Sequence, residues 1–469
     1  MQQSRTVIPL QLLVTLFICV FATFARGQEI STKSPPVGST SRKPLSVVTG
    51  LAHAEGETGE AEEEESGADA PAGAEAAEQP DVAELERRID VLGEEIERLR
   101  SGEESQRVSV EEARRLGLAP SAAATYGVDR GVSLAGYGEM LLENYANQGS
   151  TRFDYLRAIL YTGYRFNDKF LFNSEIEVEH GKEIYVEFAY IDYQATEHFG
   201  LRGGMLLAPM GLVNEFHEPT VFMGAERPVT ENKVIPSTWR ENGGGIYGAF
   251  ERVSFRAYVM NGFNGAKFSS GGVRGGRQKG AKAKATSMAF TGRFDVTPTP
   301  GVFFGASLYT GDSGQGEISV ENTEYGVGTT IFDLHAQAQV RGLDVRALFA
   351  RANLGDALQL NEALGTSGSS GIASRMQGAY VQFGYNVLSQ VAAAGEVALT
   401  PYLRFEQVDT QDQMPVGFTR SLTTDNSYVT AGVELKPNPG VVLKVDHMWV
   451  TNDAGKGVNQ FNINLGYAF

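Results

Sequence analysis

The last nine residues, Phe461-Asn-Ile-Asn-Leu-Gly-Tyr-Ala-Phe469, constrain the fold more than any other stretch. Phe461, Ile463, Leu465, Tyr467 and Phe469 alternate with Asn462, Asn464, Gly466 and Ala468. Successive side chains of a strand point to opposite faces, so the aliphatic and aromatic set shares one face and the polar or small set the other. A strand with one greasy face, one polar face and aromatics at its end suits a boundary between lipid and water. A soluble sheet edge has the same period but rarely finishes on an exposed Tyr-x-Phe.

The same period runs back to about Val132. Alternating segments predict sixteen strands: 132–145, 153–166, 169–179, 183–194, 199–207, 243–250, 253–261, 287–297, 302–311, 327–340, 343–351, 376–388, 398–409, 426–436, 441–451 and 458–469. Their links alternate in length. Short turns fall at Asn167-Asp168, Thr196-Glu197, Glu251-Arg252, Thr297–Gly301, Arg341-Gly342 and Pro437–Gly440, with a looser one at Ser389–Glu396. Long links fall at 208–242, 262–286, 312–326, 352–375 and 410–425, and His180–Lys182 is a short exception among them. Short turns on one rim and long loops on the other are the habit of transmembrane barrels, and an even strand number returns both chain ends of the barrel to one side. Within 169–179, Phe170, Phe172, Ile176 and Val178 oppose Asn173, Glu175, Glu177 and Glu179. Three carboxylates on a lipid face would each cost about one to a few kcal/mol, so they must face the bore. Lys444 and Asp446 oppose Leu443, Val445 and Trp449 in the same way. Mean hydropathy of −0.20 is neutral here, because alternation hides a lipid face from any average.

Ahead of the strands the chain changes character three times. Residues 1–27 read as an export signal: Arg5 precedes an apolar run from Val7 to Phe24, and Ala25-Arg-Gly27 is a small-x-small cleavage site. The single cysteine, Cys19, lies inside that run, so the mature chain is expected to have no thiol chemistry. Residues 28–80 are an acidic tail with too few large apolar residues for a core, expected to be disordered. In 81–105, Val82, Leu85, Ile89, Leu92, Ile96 and Leu99 repeat at intervals of 3 and 4, the seam of a short coiled coil that needs a larger oligomer to support it. Residues 106–130 read as a linker with a short helix, opened by the capping box Ser109-Val-Glu-Glu112 and ended by Gly117. The expected fold class is thus all-β: a transmembrane antiparallel barrel of about sixteen strands over 131–469, preceded by an α-helical coiled coil. The net charge of −17 gives no reason to expect nucleic-acid binding.

Three stretches carry a likeness beyond the pattern: Pro209-Met-Gly-Leu-Val-Asn-Glu-Phe-His-Glu-Pro219, Ile235-Pro-Ser-Thr-Trp-Arg-Glu-Asn-Gly243 and Pro401-Tyr-Leu-Arg-Phe-Glu406. With them, residues 132–469 resemble the phosphate-selective porin O/P family of bacterial outer-membrane channels, and the terminal Phe resembles the C-terminal signature that barrel assembly reads. The resemblance implies a homotrimer in outer-membrane lipid, with the N-terminal tail and coiled coil in the periplasm. It also implies a third extracellular loop folded into the bore; here that is 208–242, which holds Met210, Trp239 and Arg240. Expected bore residues are Arg157, Arg165, Glu175, Glu177, Glu179, Arg240, Tyr402, Arg404 and Glu406. The 262–286 link carries Lys267, Arg274, Arg277, Lys279, Lys282 and Lys284 without one acid, and reads as a mobile cationic loop at the outer mouth that either concentrates anions or pairs with anionic lipopolysaccharide. The implied function is passive diffusion of small hydrophilic solutes, with weak anion (phosphate) preference and no cofactor. The carboxylates in the bore weigh against strong phosphate selectivity. Two other classes compete. A barrel-anchored tether to the cell wall would use the acidic tail and coiled coil. An enzyme would need a catalytic constellation, and neither His-x-x-x-His nor Gly-x-Ser-x-Gly occurs, while His217 between Glu215 and Glu218 is the one metal candidate.

Overall fold

The computed structural model describes residues 110–128, 130–146 and 150–469. The expected signal segment, acidic tail, coiled coil and Ser109 capping position lie outside the described residues. Strands run in the order β1 Gly131–Tyr145, β2 Ser150–Arg165, β3 Phe170–Glu179, β4 Glu183–Thr196, β5 Phe199–Leu207, β6 Arg240–Phe250, β7 Val253–Asn261, β8 Met288–Thr299 and β9 Val302–Asp312. After a two-stranded hairpin, β10 Ser319–Val320 and β11 Thr323–Glu324, come β12 Gly328–Val340, β13 Leu343–Leu354, β14 Arg375–Tyr385, β15 Ala398–Gln413, β16 Asp425–Asn438, β17 Val441–Asn452 and β18 Gln460–Ala468. Among the described residues four short α-helices accompany them: α1 Val110–Leu116, α2 Pro120–Ala124, α3 Thr230–Lys233 and α4 Ala357–Ala363.

All strands except β10 and β11 form one closed antiparallel barrel of sixteen, sealed by β1 against β18 from Tyr137↔Ala468 to Tyr145↔Gln460. Phe469 completes the seam, its N–H donating to Gly136 O and its carbonyl accepting from Gly136 N, both at 2.9 Å. Each expected strand coincides with one barrel strand.

The period-2 pattern sorts the two faces as two solvents would. In β18, Phe461 and Leu465 are 38% and 44% exposed, whereas Asn462 and Asn464 are 2% and 0%. Leu134, Leu160, Ile176, Ile191, Phe294, Leu308 and Leu334 add to an outward apolar belt. An apolar surface of this extent is stable against hydrocarbon rather than water.

Two long links hold elements of their own, and a third differs from its expected form. The 312–326 link holds the β10–β11 hairpin, and 352–375 holds α4. The 262–286 link is folded rather than mobile. Phe263, Phe268 and Val273 are buried, and Arg277 Nη1 donates to the carbonyls of Pro236 (3.1 Å) and Thr238 (2.5 Å). The apolar residues among its glycines give it a small core of its own. The largest departure is at 110–128, expected to be a linker: it lies inside the barrel.

Candidate functional site in the bore

A sixteen-stranded barrel is too wide for its own inward side chains to fill. Here two pieces of backbone cross it. The first is the 208–239 link. Its apolar anchors Met210, Val234, Ile235 and Trp239 are 0% exposed, and Trp239 stacks on Phe263 with centroids 4.5 Å apart and an interplanar angle of 17°. Asn214 ties the two ends of the loop, donating to Ala208 O (2.6 Å) and accepting from Trp239 N (2.7 Å). The wall grips the rest of the loop from all sides. Gly211 N donates to Asp333 (3.1 Å), Ala225 N to Asp446 (2.7 Å), and Thr230 N to Glu406 (2.5 Å). Lys444 Nζ donates to the carbonyls of Phe222 (2.8 Å) and Gly224 (3.0 Å).

The second piece is 110–128, at the short-turn end. Arg115 donates to Phe250 O beside the β6–β7 turn (2.9 Å), and Arg114 lies 4.1 Å above the Phe303 ring. Gly117 ends α1 at φ +71°, where a Cβ would meet Glu215 Oε1 at 2.6 Å and Arg256 Cδ at 2.7 Å. Only glycine passes there. α2 follows, and Glu218 of the long loop accepts from Ser121 N (3.0 Å), Ser121 Oγ (3.1 Å) and Ala122 N (3.3 Å). Tyr126 Oη donates to Asp192 (2.5 Å), which is also held by Arg202 Nε (2.8 Å). Burial pushes the Glu218 carboxyl up to about 7. Burial, followed by the charge of Arg227, pushes His217 down to about 3.

The expected bore residues do not form one cluster. Arg157 pairs with Glu139 (3.0 Å) and Glu177 (3.3 Å). Glu175 accepts from Tyr137 Oη (3.3 Å) and sits 3.2 Å from His217 Nε2; Glu179 is half-buried at the end of β3. Arg165 holds the inserted segment, donating to Val128 O (2.6 Å) and Tyr126 O (3.0 Å). Arg240 pairs with Glu187 at 2.5 Å. On the far wall Tyr402 Oη donates to Asp446 (2.7 Å), Arg404 Nη1 to Glu226 O (3.3 Å), and Glu406 accepts from Thr230 N. Of the mouth residues, Lys267, Lys279, Lys282 and Lys284 are exposed, with Lys284 paired to Glu317, while Arg274 and Arg277 turn inward and are half-buried. Burial, together with neighbouring guanidiniums, holds Arg274 down to about 9 and Arg277 to about 10. The metal candidate dissolves. His217 Nδ1 faces Asn214 O (2.9 Å), Glu215 pairs with Arg256 (2.9 Å), and Glu218 faces Ser121.

Sequence reasoning missed a buried charge chain across β7, β8 and β12. Asp295 accepts from Arg293 Nε (2.7 Å) and faces His335 Nε2 (2.7 Å), whose Nδ1 faces Asp333 (2.6 Å); Arg256 bridges Asp295 (3.3 Å) and Glu215 (2.9 Å). Strand parity alone places them inward: Ser254, Arg256 and Tyr258 alternate with Phe255 and Ala257, and Arg293 and Asp295 with Phe294.

No protein-family model matches the chain. Among solved structures it is similar to OmpF of Salmonella typhi (11% identity, TM-score 0.49, 73% of this chain and 98% of that one). It is also similar to the anion-selective porin of Comamonas acidovorans (12%, 0.45, 72% and 99%) and to the outer membrane channel DcaP of Acinetobacter baumannii (10%, 0.46, 72% and 97%). An uncharacterised protein of Aquifex aeolicus (strain VF5) is 38% identical over 349 residues, 71% of this chain and 78% of that protein. At that identity and coverage, the chain belongs to the same family as the Aquifex aeolicus protein.

Proposed function

We propose that the chain is a bacterial outer-membrane channel for passive diffusion of small hydrophilic solutes, with a preference for anions, phosphate among them. The observation that carries the preference is a run of basic side chains from the outer mouth into the bore. Arg274 and Arg277 of the 262–286 link turn inward close enough to Arg240, Arg227 and Arg157 to feel their charges. Burial followed by the nearby Arg157 likewise lowers Arg227. Cations that crowd one another in a poorly solvated place create a field that favours a mobile anion among them. Glu187 and Glu177 answer Arg240 and Arg157, so the field is partly balanced and the preference is weak rather than absolute. The likeness to phosphate-selective porins supports the same reading, as does the anion selectivity in the name of the Comamonas acidovorans porin. The proposal includes outer-membrane lipid around the apolar belt and a homotrimer, with the short-turn rim and the N-terminal region on the periplasmic side.

Reversal potentials of purified protein in planar bilayers under a potassium chloride gradient test it. Anion preference at low salt is expected, shrinking in the double variant Arg274→Glu, Arg277→Glu. Clear cation preference in the unmodified protein refutes it.

A further inference from the structure

We infer that residues 110–128 are the gate of this pore: a displaceable plug, not a permanent part of the barrel core. The inference rests on the channel reading and adds what opens the channel.

The inserted segment is built differently from the long loop beside it. The 208–239 link is fixed at both ends by strands and buries Met210, Phe216, Ile235 and Trp239. The 110–128 segment joins β1 at one end through Gly131, which has φ +91° and open space where a Cβ would be. Its buried apolar side chains are Ala113, Ala119, Ala122 and Ala123 with Leu118, and Leu116 and Tyr126 pack half-buried against the same cluster. Withdrawing alanines exposes little apolar area, so the hydrophobic cost of release falls mainly on Leu116, Leu118 and Tyr126.

Its polar holds are also of a kind that water can replace. Glu218, Asp192 and Arg202 are buried beneath the segment and Arg165 is half-buried, and each exchanges its hydrogen bonds to 110–128 for hydration on release.

The wall around the segment points the same way. Asn173 Oδ1, Glu175 Oε2, Tyr258 Oη, and Nε and Nη1 of Arg256 are buried with no protein partner. Permanent interiors satisfy nearly all such groups. The bore around the 208–239 link holds such groups too, Thr230 Oγ1, Trp239 Nε1 and Glu406 Oε2 among them, so the bore as a whole is more polar than its two inserted pieces satisfy, and departure of the plug lets water reach the part beneath it.

Two full-length variants test this in planar bilayers. Deleting residues 110–128 should raise steady conductance severalfold and abolish closures. Correct folding would be checked by heat-modifiable gel migration and circular dichroism. The second variant needs no deletion. A Cβ at Gly163 would lie 2.7 Å from Thr125 Cβ, about 1 Å inside the roughly 3.8 Å that a disulfide spans, so the two backbones must part slightly to form one. Thr125→Cys with Gly163→Cys, in a Cys19→Ser background, should lose its openings when oxidised and regain them on reduction. Unchanged conductance in the folded deletion variant, or openings that persist in the verified disulfide form, overturns the gate while leaving the channel intact. Absence of conductance from every form overturns the channel reading, and the gate with it.

Discussion

Glu218 gives the closed bore a calculable pH dependence. It is 0% exposed, faces Ser121 and Ala122 of the inserted segment, and has Glu175, Tyr161 and His217 as its titratable surroundings. Burial raises it from 4.5 to about 7. The hydrogen bonds from Ala122 and Ser121 lower it against that burial, so at 1.36 kcal/mol per pH unit the protonated form is favoured in the closed state by at most about 3 kcal/mol, the full amount only where opening hydrates Glu218 completely. The sign follows from linkage. A carboxyl whose value is raised on closing stabilises the closed state fully below about 4.5, and that contribution is lost as pH rises through about 7. Glu218 therefore favours closure in acid and opening near neutrality. His217 acts in the opposite sense wherever opening hydrates it, because burial lowers it to about 3. The informative quantity is thus the difference between wild type and Glu218→Gln, which mimics the protonated carboxyl and leaves His217 in place. In single-channel recordings at pH 8 the variant should be more closed than wild type, by up to about a hundredfold in the closed-to-open ratio for 3 kcal/mol. At pH 4.5 the two should converge. Equal behaviour at both pH values, or a variant more open than wild type at pH 8, refutes the reasoning. The second result would mean that charge-assisted hydrogen bonds to Ser121 and Ala122 outweigh the cost of burying the charge.

Other perturbations separate membrane, core and seam. Leu465→Arg places a charge on the outward belt and should cost about 2–4 kcal/mol at mid-bilayer depth, measured by denaturant titration in lipid vesicles; a neutral outcome would mean that lipid does not cover this face. Trp239→Ala removes a fully buried ring stacked on Phe263 and should cost about 3–5 kcal/mol in the same assay. Deleting Phe469 removes both hydrogen bonds to Gly136 at the closing seam and should lower the yield of heat-modifiable barrel, whereas Phe469→Tyr should not. Gly117→Ala forces a Cβ against Glu215 and Arg256 and should weaken the seating of 110–128, read as a higher open fraction at unchanged barrel stability.

The barrel was legible because its signal is redundant. The strands repeat one parity, broken in β4 by a bulge between Val186 and Phe188, and a one-residue slip would turn Glu175 and Glu177 to lipid, so the pattern fixes both strand and face. Inward placement of Arg157, Tyr402, Arg404 and Glu406 was legible for the same reason. What those residues touch was not, because contacts across a bore join residues hundreds of positions apart, as Glu406 with Thr230 and Lys444 with Phe222 show. The inserted segment was illegible for a different reason. Its alanines and short helices, α1 and α2, are the composition of a linker as much as of a plug. Nothing local says which surface will receive them. Only Gly117 carries a hint, since a glycine that ends a helix also permits the close passage past Glu215 that the structure shows.

The charges of the bore are answered by backbone of two inserted pieces, and what each piece buries orders what can move. Lys444, Arg404 and Arg293 donate to backbone carbonyls of the 208–239 link, at Phe222, Gly224, Glu226 and Gly211. Backbone groups in a loop fixed at both ends cannot turn away, so these charges keep their partners only while the loop keeps its path. Removing the loop would leave at least three buried cations to find new acceptors at once, on top of exposing Trp239 and Ile235. The 110–128 segment also offers backbone, Ser121 N and Ala122 N to Glu218 of the long loop and the Tyr126 and Val128 carbonyls to Arg165, with Tyr126 Oη on Asp192, but it has no fully buried side chain as large as Trp239. The long loop is therefore the fixed constriction and the N-terminal segment the part that yields first. A pore opened by loss of the segment should still show the selectivity set by Arg240 and Arg227, because the residues that carry that field stay where the loop holds them.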